Sequence, residues 1–520
     1  MSSLLDGHSN HIKQKPYIIL LNHIPSRKEK KNMTNVIRER LENAKTTENG
    51  AYALKFTGNP LLDLFGEIGV LRNRSENEVL ELWRRAFDYD RVNAVKILFY
   101  ARDVRGGLGE RKVFRTILYD LAVQYPEIVE ANLDNIVFFG RYDDLYCLVD
   151  TPVEFAAFDY LFNAAKNHTG LVGKWLKSPN AHSVDTCFLG RLTAKQFGMS
   201  EKEYRKWLSK LRADERIVEK SMSANQWKEI SYEGVPSIAA KNYRDAFCRH
   251  DPVGYNQYLE KVESGKATIH ANTLYPYDIV KCLRERISNS YTSMIDNRTL
   301  ELQWKALPNY LTGESANDNI MVMADTSGSM MCSSYSNALP WDIAIGLAIY
   351  FAQHNHGAFA DCFMTFSESP SFVKVSHDSV AAAYKTVPNI IANTNLEAAF
   401  DLLLNTAVST KAPQSDMPKA LIAISDMEID DIGADTTFTD VMAEKFAAAG
   451  YAMPKIVYWN VDARNDTFHA DKNNSNVAFV SGASASVFKS VIENFDKTPE
   501  QLMLSVINNS RYDRIIVDKA

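Results

Sequence analysis

The chain has 520 residues, 46% of them hydrophobic and 23% charged, ample material for two or three buried cores. No stretch approaches the roughly 18 uncharged apolar residues of a membrane helix, and the longest candidate near the start, Tyr17 to Leu21, is far too short. The net charge of −6 hides an asymmetry: residues 311–520 hold 13 Lys/Arg against 25 Asp/Glu, whereas residues 1–310 hold 45 against 39, so an anionic partner belongs at the front.

Six cysteines, at 147, 187, 248, 282, 332 and 362, are scattered without a C-x-x-C pair. This excludes a disulfide framework or a zinc knuckle and suits reduced thiols in the cytoplasm. Residues 1–45 form a basic extension in which Lys13, Lys15, Arg27, Lys28, Lys30 and Lys31 supply most of the positive excess. Translation starts either at Met1 or at Met33, where MTNVIRERLENA opens like a helix. The preceding segment is then either an extension or a genuine basic arm, and its short apolar patch does not make a secretory signal.

Residues 46–310 read as helical. Apolar residues recur at three and four in Val79–Phe87, Val92–Tyr100, Val113–Val123 and Ile136–Val149. Amphipathic helices of roughly 12 to 18 residues joined by short turns imply antiparallel pairs stacked like HEAT repeats. Two basic clusters and the single residue Arg141 stand out here. The peptide RDVRGGLGERK carries Arg102, Arg105, Arg111 and Lys112 around three glycines. It is either a turn whose amides and guanidiniums meet phosphates or a structural turn with Arg102 and Arg105 paired to Asp103 or Glu110. Arg141 beside Asp143 and Asp144 offers the same choice. Lys241, Arg244, Arg249 and His250 are interleaved with Tyr243 and Phe247, a mix that can hold single-stranded RNA. Helical spacing equally allows Ile238, Tyr243 and Phe247 to face the core.

The segments Thr46–Arg72, Leu98–Arg115, Phe139–Leu148, Val235–Asp251 and Gly265–Lys281 resemble the TROVE module of the Ro autoantigen group. The likeness is closer to uncharacterised TROVE-related proteins that join this helical module to a von Willebrand factor A domain. Lys174–Asn180 and Ser200–Ile230 are similar to that set more than to Ro itself. The resemblance implies RNA binding by the helical part, with a structured or single-stranded small RNA as partner.

After Pro308 a polar, turn-rich stretch reads as a linker, and residues 311–520 then alternate strand and helix. Strands are expected at 320–325, 358–366, 371–375, 419–425, 455–461 and 477–480, with helices at 341–355, 395–409, 437–449, 484–494 and 498–508. That alternation describes a doubly wound, Rossmann-like α/β domain. The fold class is therefore α + α/β, an all-α HEAT-like module followed by a doubly wound sheet.

The apolar run Ile320–Ala324 leads into Asp325, Ser327 and Ser329, at the carboxyl end of an expected central strand where open sheets place ligands. One carboxylate and two hydroxyls are hard oxygen ligands suited to Mg²⁺ or Mn²⁺. The D-x-S-x-S pattern resembles the metal-ion-dependent adhesion site of von Willebrand factor A domains, which two further loops complete with a Thr and an Asp. Thr394 in ANTNLEAAF and Asp426 after Ala420–Ile424 stand in that order. The resemblance implies ligation through the hydroxyls of Ser327, Ser329 and Thr394, with Asp325 and Asp426 binding directly or through water. A partner protein's carboxylate would take the open position. The alternative is a metal-free domain whose Ser and Asp cap neighbouring helices.

There is no G-x-x-x-x-G-K-[ST], G-x-S-x-G or H-E-x-x-H motif, so catalysis is not expected. His354 and His356 in QHNHG read as a helix-end cap. The sequence together with these resemblances implies a non-catalytic, Ro-like RNA-binding scaffold with no membrane partner, whose cation site would bind an acidic protein. The competing expectation is an assembly component, for instance viral, without RNA.

Overall fold

The computed structural model describes residues 42–288, 297–311, 319–332, 338–366, 369–388, 395–431, 433, 437–462, 467–494 and 497–517. Among the described residues, Lys45–Ala520 form one compact unit. The expected helix at Met33 and the basic run before it lie outside the described residues, as do residues 312–318 of the expected linker.

Two short strands, β1 (Ala44–Thr46) and β2 (Tyr52–Leu54), pair with each other before the helices begin. Several helices start where a polar side chain satisfies their free amides. Asn59 caps Pro60–Glu67, and Ser75 and Ser200 form capping boxes with Glu78 and Glu203 ahead of Glu76–Tyr89 and Glu201–Asp214. Val79, Trp83, Ala86 and Phe87 then bury one stripe of Glu76–Tyr89, as the spacing requires.

The expected helix across Ile136–Val149 is in fact broken. Leu133–Phe139 ends at Gly140, and Tyr142–Leu148 is wound as a 3-10 segment. Burial of an ion pair causes the break: a Cβ at Gly140 would lie 2.4 Å from Asp144 Oδ2 and 2.9 Å from Arg102 Nε. Only glycine leaves room for that pair. Other helices, such as Pro126–Ala131 and Val218–Ser223, are also shorter than the expected 12 residues.

Helices give way to strands between Lys305 and Ile320. Six strands follow among the described residues: β3 (Ile320–Asp325), β4 (Cys362–Phe366), β5 (Ser371–Lys374), β6 (Ala420–Ser425), β7 (Lys455–Asn460) and β8 (Val477–Ser481). They form one sheet in the order β5-β4-β3-β6-β7-β8, parallel except for β5 at the edge. Every residue of β3, β6, β7 and β8 is buried, which suits parallel strands covered on both faces. Helix Val380–Lys385 was not evident in the sequence, and 357–359 form a 3-10 turn rather than the start of β4. From β3 the chain passes first to β4 and β5 on one side and then to β6, β7 and β8 on the other. The carboxyl ends of β3 and β6 therefore mark the point where strand order reverses, the usual crevice for a ligand in such sheets.

The helical part and the sheet share one apolar core, to which Phe65, Trp304, Ile345 and Phe488 all belong. Close backbone approach makes this possible. A Cβ on Gly69 would lie 2.8 Å from the Ser481 carbonyl, and a Cβ on Gly346 would lie 2.8 Å from the Tyr277 amide. Ion pairs fix the register: Arg284 reaches the fully buried Asp342 with two bonds of 2.7 and 2.9 Å. Near the end of the chain, Arg511 Nη2 donates to Asp103 Oδ1 at 2.7 Å and the Tyr512 hydroxyl donates to Asp103 Oδ2 at 3.2 Å. Asp103 itself is wholly buried. Its removal strands the Arg511 guanidinium and the Tyr512 hydroxyl, so Asp103→Ala should lower unfolding free energy by about 3 kcal/mol. Urea denaturation followed by circular dichroism checks this, and a midpoint equal to that of the wild type would contradict it.

Candidate functional site

Asp325 ends β3 and Asp426 follows β6 by one residue, so the parallel register Ala324↔Ile424 brings the two carboxylates to neighbouring strand ends. Asp325 is 0% exposed and Asp426 1%. Ser425 Oγ donates to Asp325 Oδ2 at 2.6 Å, and the Ser327 amide donates to Asp325 Oδ1 at 2.8 Å. Burial, and then the Asp426 charge, push the Asp325 pKa up to about 7, against the pull of those hydrogen bonds. The hydroxyls of Ser327 and Ser329 lie 2.9 Å apart at the same strand end. Four of the five expected ligands thus converge, while Thr394 lies outside the described residues, just before the helix Leu396–Thr410 that Asn395 caps. Ser425 was missed from sequence, because a serine at a strand end looks like an ordinary buried position.

These residues fit a hard divalent cation. A carboxyl raised towards neutrality by burial and then by a second carboxylate marks a place where positive charge would be stabilised, and two hydroxyls supply further oxygen donors. Among the described residues no three His, Cys, Asp or Glu side chains are grouped to hold a metal, so any ion here depends on the serines as well.

The loop carrying Asp426 is strained and braced. Met427 adopts φ +66°, an uncommon conformation for a bulky residue. Ser425 Oγ accepts the Met427 amide at 3.0 Å. The turn between β1 and β2 grips the same loop: Thr47 Oγ1 donates to Ile429 O at 2.7 Å, and Asn49 Nδ2 to Glu428 O at 2.7 Å and Asp430 Oδ1 at 2.9 Å. From the other side the buried His469 Nε2 donates to Met427 O at 3.2 Å.

Burial pushes the His469 pKa down to about 4. Since the folded value lies below the unfolded one, its contribution to stability is full above about pH 6.5 and is lost as pH falls towards 4. Asp325 has the opposite sign, because its folded value is raised and the metal-free fold gains stability as pH falls below about 7. A comparison with His469→Gln isolates the histidine: between pH 7 and 5 the wild type should lose about 2 kcal/mol relative to the variant. Parallel denaturation profiles at the two pH values would refute a neutral buried His469.

The basic residues divide sharply. Arg102 is buried and bound to Asp144 at 2.7 Å, so it holds the fold and is not a phosphate contact. Neither expected pairing of the glycine-rich turn occurs: Asp103 pairs with Arg511, and Glu110 with Arg72 at 3.1 Å. The turn also spends its amides internally, Gly107 and Gly109 on Asp103 O and Leu108 on Tyr100 O, and Ser486 Oγ caps Gly107 O at 3.1 Å. Lys241 is likewise buried against Asp278 at 2.6 Å, and Arg244 donates to Lys241 O. Phe247 faces the core and Tyr243 packs on it, whereas Ile238 is exposed. His354 Nδ1 lies 2.8 Å from Tyr350 O, a local helix-end contact. Arg105, Arg111, Lys112, Arg249 and His250 are exposed, and Arg141 is half-buried against Asp143 at 2.9 Å and over the Trp175 ring at 4.0 Å.

Fold and site together define an all-helical region joined to a mixed α/β sheet domain with an oxygen-rich candidate cation site at its switch point. Residues 47–153 and 166–315 match the model of a domain of unknown function, DUF2828, and residues 319–514 match that of another, DUF7788. The chain is similar to the uncharacterized protein L728 of Acanthamoeba polyphaga mimivirus, with 26% identity over 518 residues, spanning 90% of this chain and 88% of that one. Among solved structures it is similar to the Ro protein (RSR) of Deinococcus radiodurans, at TM-score 0.39 and 13% identity, covering 84% of this chain and 92% of that chain. Among the described residues no helix is long and apolar enough to cross a membrane.

Proposed function

We propose that the chain is a non-catalytic scaffold of the TROVE and von Willebrand factor A type, holding RNA on its helical part and an acidic protein at the cation site of its sheet domain. The observation that carries this reading is the juxtaposition of Asp325 and Asp426 at adjacent strand ends, beside the paired hydroxyls of Ser327 and Ser329. With Thr394 as the fifth ligand, Mg²⁺ or Mn²⁺ there would supply an electrophilic position for a partner's carboxylate. Ser425 and the Ser327 amide orient Asp325, and the strand turn at Thr47–Asn49 holds the Asp426 loop in place.

Calorimetric titration with Mg²⁺ tests the cation site. The wild type should bind one ion and Asp325→Ala should show at least a tenfold weaker isotherm; identical traces remove the site. Ser327→Ala should weaken the same isotherm without unfolding the chain.

For the RNA half of the reading, the exposed Arg105, Arg111, Lys112 and Arg249 are the supporting groups. Affinity for single-stranded RNA should fall steeply between about 50 and 200 mM salt, and neutralising these four together should flatten that dependence. A wild-type chain with no salt-dependent RNA affinity would leave the assembly role, with a protein partner alone.

A further inference from the structure

Between the segment Lys174–Asn180, helix Glu201–Asp214 and the short helix Val218–Ser223 lies an open cavity of about 520 Å³. Four cations line it, Lys174, Arg205, Arg212 and Lys220, against a single carboxylate, Glu219. Glu219 is already engaged by Lys174 at 3.0 Å and by the Tyr243 hydroxyl at 3.2 Å. Three positive charges therefore remain in the wall.

One of them is built into the fold. Arg212 donates from Nε to Gly173 O at 2.8 Å, from Nη2 to Leu176 O at 2.8 Å and from Nη1 to Ser178 Oγ at 3.0 Å. Neutral oxygens thus fix its fork at the cavity wall, and the nearest carboxylates, Glu215 and Glu219, act on its charge without a direct ion pair. The hydroxyls of Ser178, Ser209 and Ser223 line the same space, as does Trp175.

The Trp175 ring links this cavity to a second cationic surplus. Arg141 sits over it at 4.0 Å, and Arg102, Arg115, Arg141 and Lys177 share just two carboxylates, Asp143 and Asp144. Cations gathered around one indole repel one another, and an anion seated among them offsets that repulsion.

We infer that the Trp175 cavity binds one nucleotide of a single-stranded RNA, with phosphate oxygens on Arg205, Arg212 and Lys220 and the base against the indole. This rests on the RNA reading above and gives it a place that none of the basic residues offered from the sequence as RNA contacts lines. The volume is that of a pocket for a whole small ligand, and basic groups beside an aromatic wall are how single strands are held. The carboxylate of an acidic peptide would fill only a small part of it and leave the cavity side of Trp175 uncovered.

The test uses the full chain and a short labelled oligouridylate. Arg205→Ala with Lys220→Ala removes two exposed cations from the wall; Lys202→Ala with Lys206→Ala removes two from the same helix outside it. The first pair should weaken binding about tenfold at physiological salt and reduce the slope of log affinity against log salt by about 1.4, two single-strand phosphate contacts. The second pair should leave the slope unchanged. Independently, 4-thiouridine in the oligomer should crosslink within residues 171–223 of the wild type. RNA that binds with crosslinks elsewhere, or equal losses in both variants, overturns the cavity while the RNA reading stands. A wild type that binds no RNA removes the reading and the cavity together. Displacement of the oligomer by polyglutamate as efficiently as by unlabelled RNA overturns the nucleotide assignment in favour of an acidic peptide.

Discussion

Two carboxylates buried side by side at the ends of β3 and β6 are the constraint on which the sheet domain turns. Taking a carboxylate out of water costs several kcal/mol unless it is hydrogen-bonded or paired with a cation. Here the Ser425 hydroxyl and the Ser327 amide provide part of the compensation, and burial and the Asp426 charge still hold the Asp325 pKa well above the usual carboxylate range. A sheet built for stability alone would place apolar side chains at these positions. The residual strain is instead concentrated where the strand order reverses, which is where a ligand can relieve it.

The bracing around that point explains why the helical part is inseparable from the sheet. Met427 keeps a left-handed backbone because Ser425, His469 and the Thr47–Asn49 turn hold its neighbours from several directions. The last of these comes from the start of the helical part, some 380 residues away in sequence. Continuous apolar burial does the rest, since Gly69 and Gly346 let helices approach the sheet domain to backbone distance and the buried carboxylates of Asp342 and Asp103 fix their alignment. The candidate cation site and the helical surface therefore belong to one packed unit, Lys45–Ala520.

Among the basic residues, burial separates structural from available charge in a way that spacing could not. Arg102 and Lys241 sit in motifs rich in Gly or aromatics, as ligand contacts would, yet each is consumed by a carboxylate from elsewhere in the chain. The break at Gly140 has the same origin, because the room that Asp144 and Arg102 require overrides a good helical pattern. Conversely, Lys174, Arg205, Arg212 and Lys220 are spread over 47 positions of the chain and come together only around a folded cavity.

What the sequence determined alone was what local physics controls. Unbroken apolar runs specify central parallel strands, capping residues specify helix starts, and D-x-S-x-S after a strand places oxygen donors at its carboxyl end. From these come the sheet, most of its helices and the candidate ligands Asp325, Ser327, Ser329 and Asp426. What only the tertiary structure decided was the partner of each charge: Asp103 with Arg511, Asp144 with Arg102, Ser425 with Asp325. Electrostatic pairing and burial act through space and carry no period along the chain, so the same arginine reads alike in sequence whether it faces a carboxylate, a carbonyl or water.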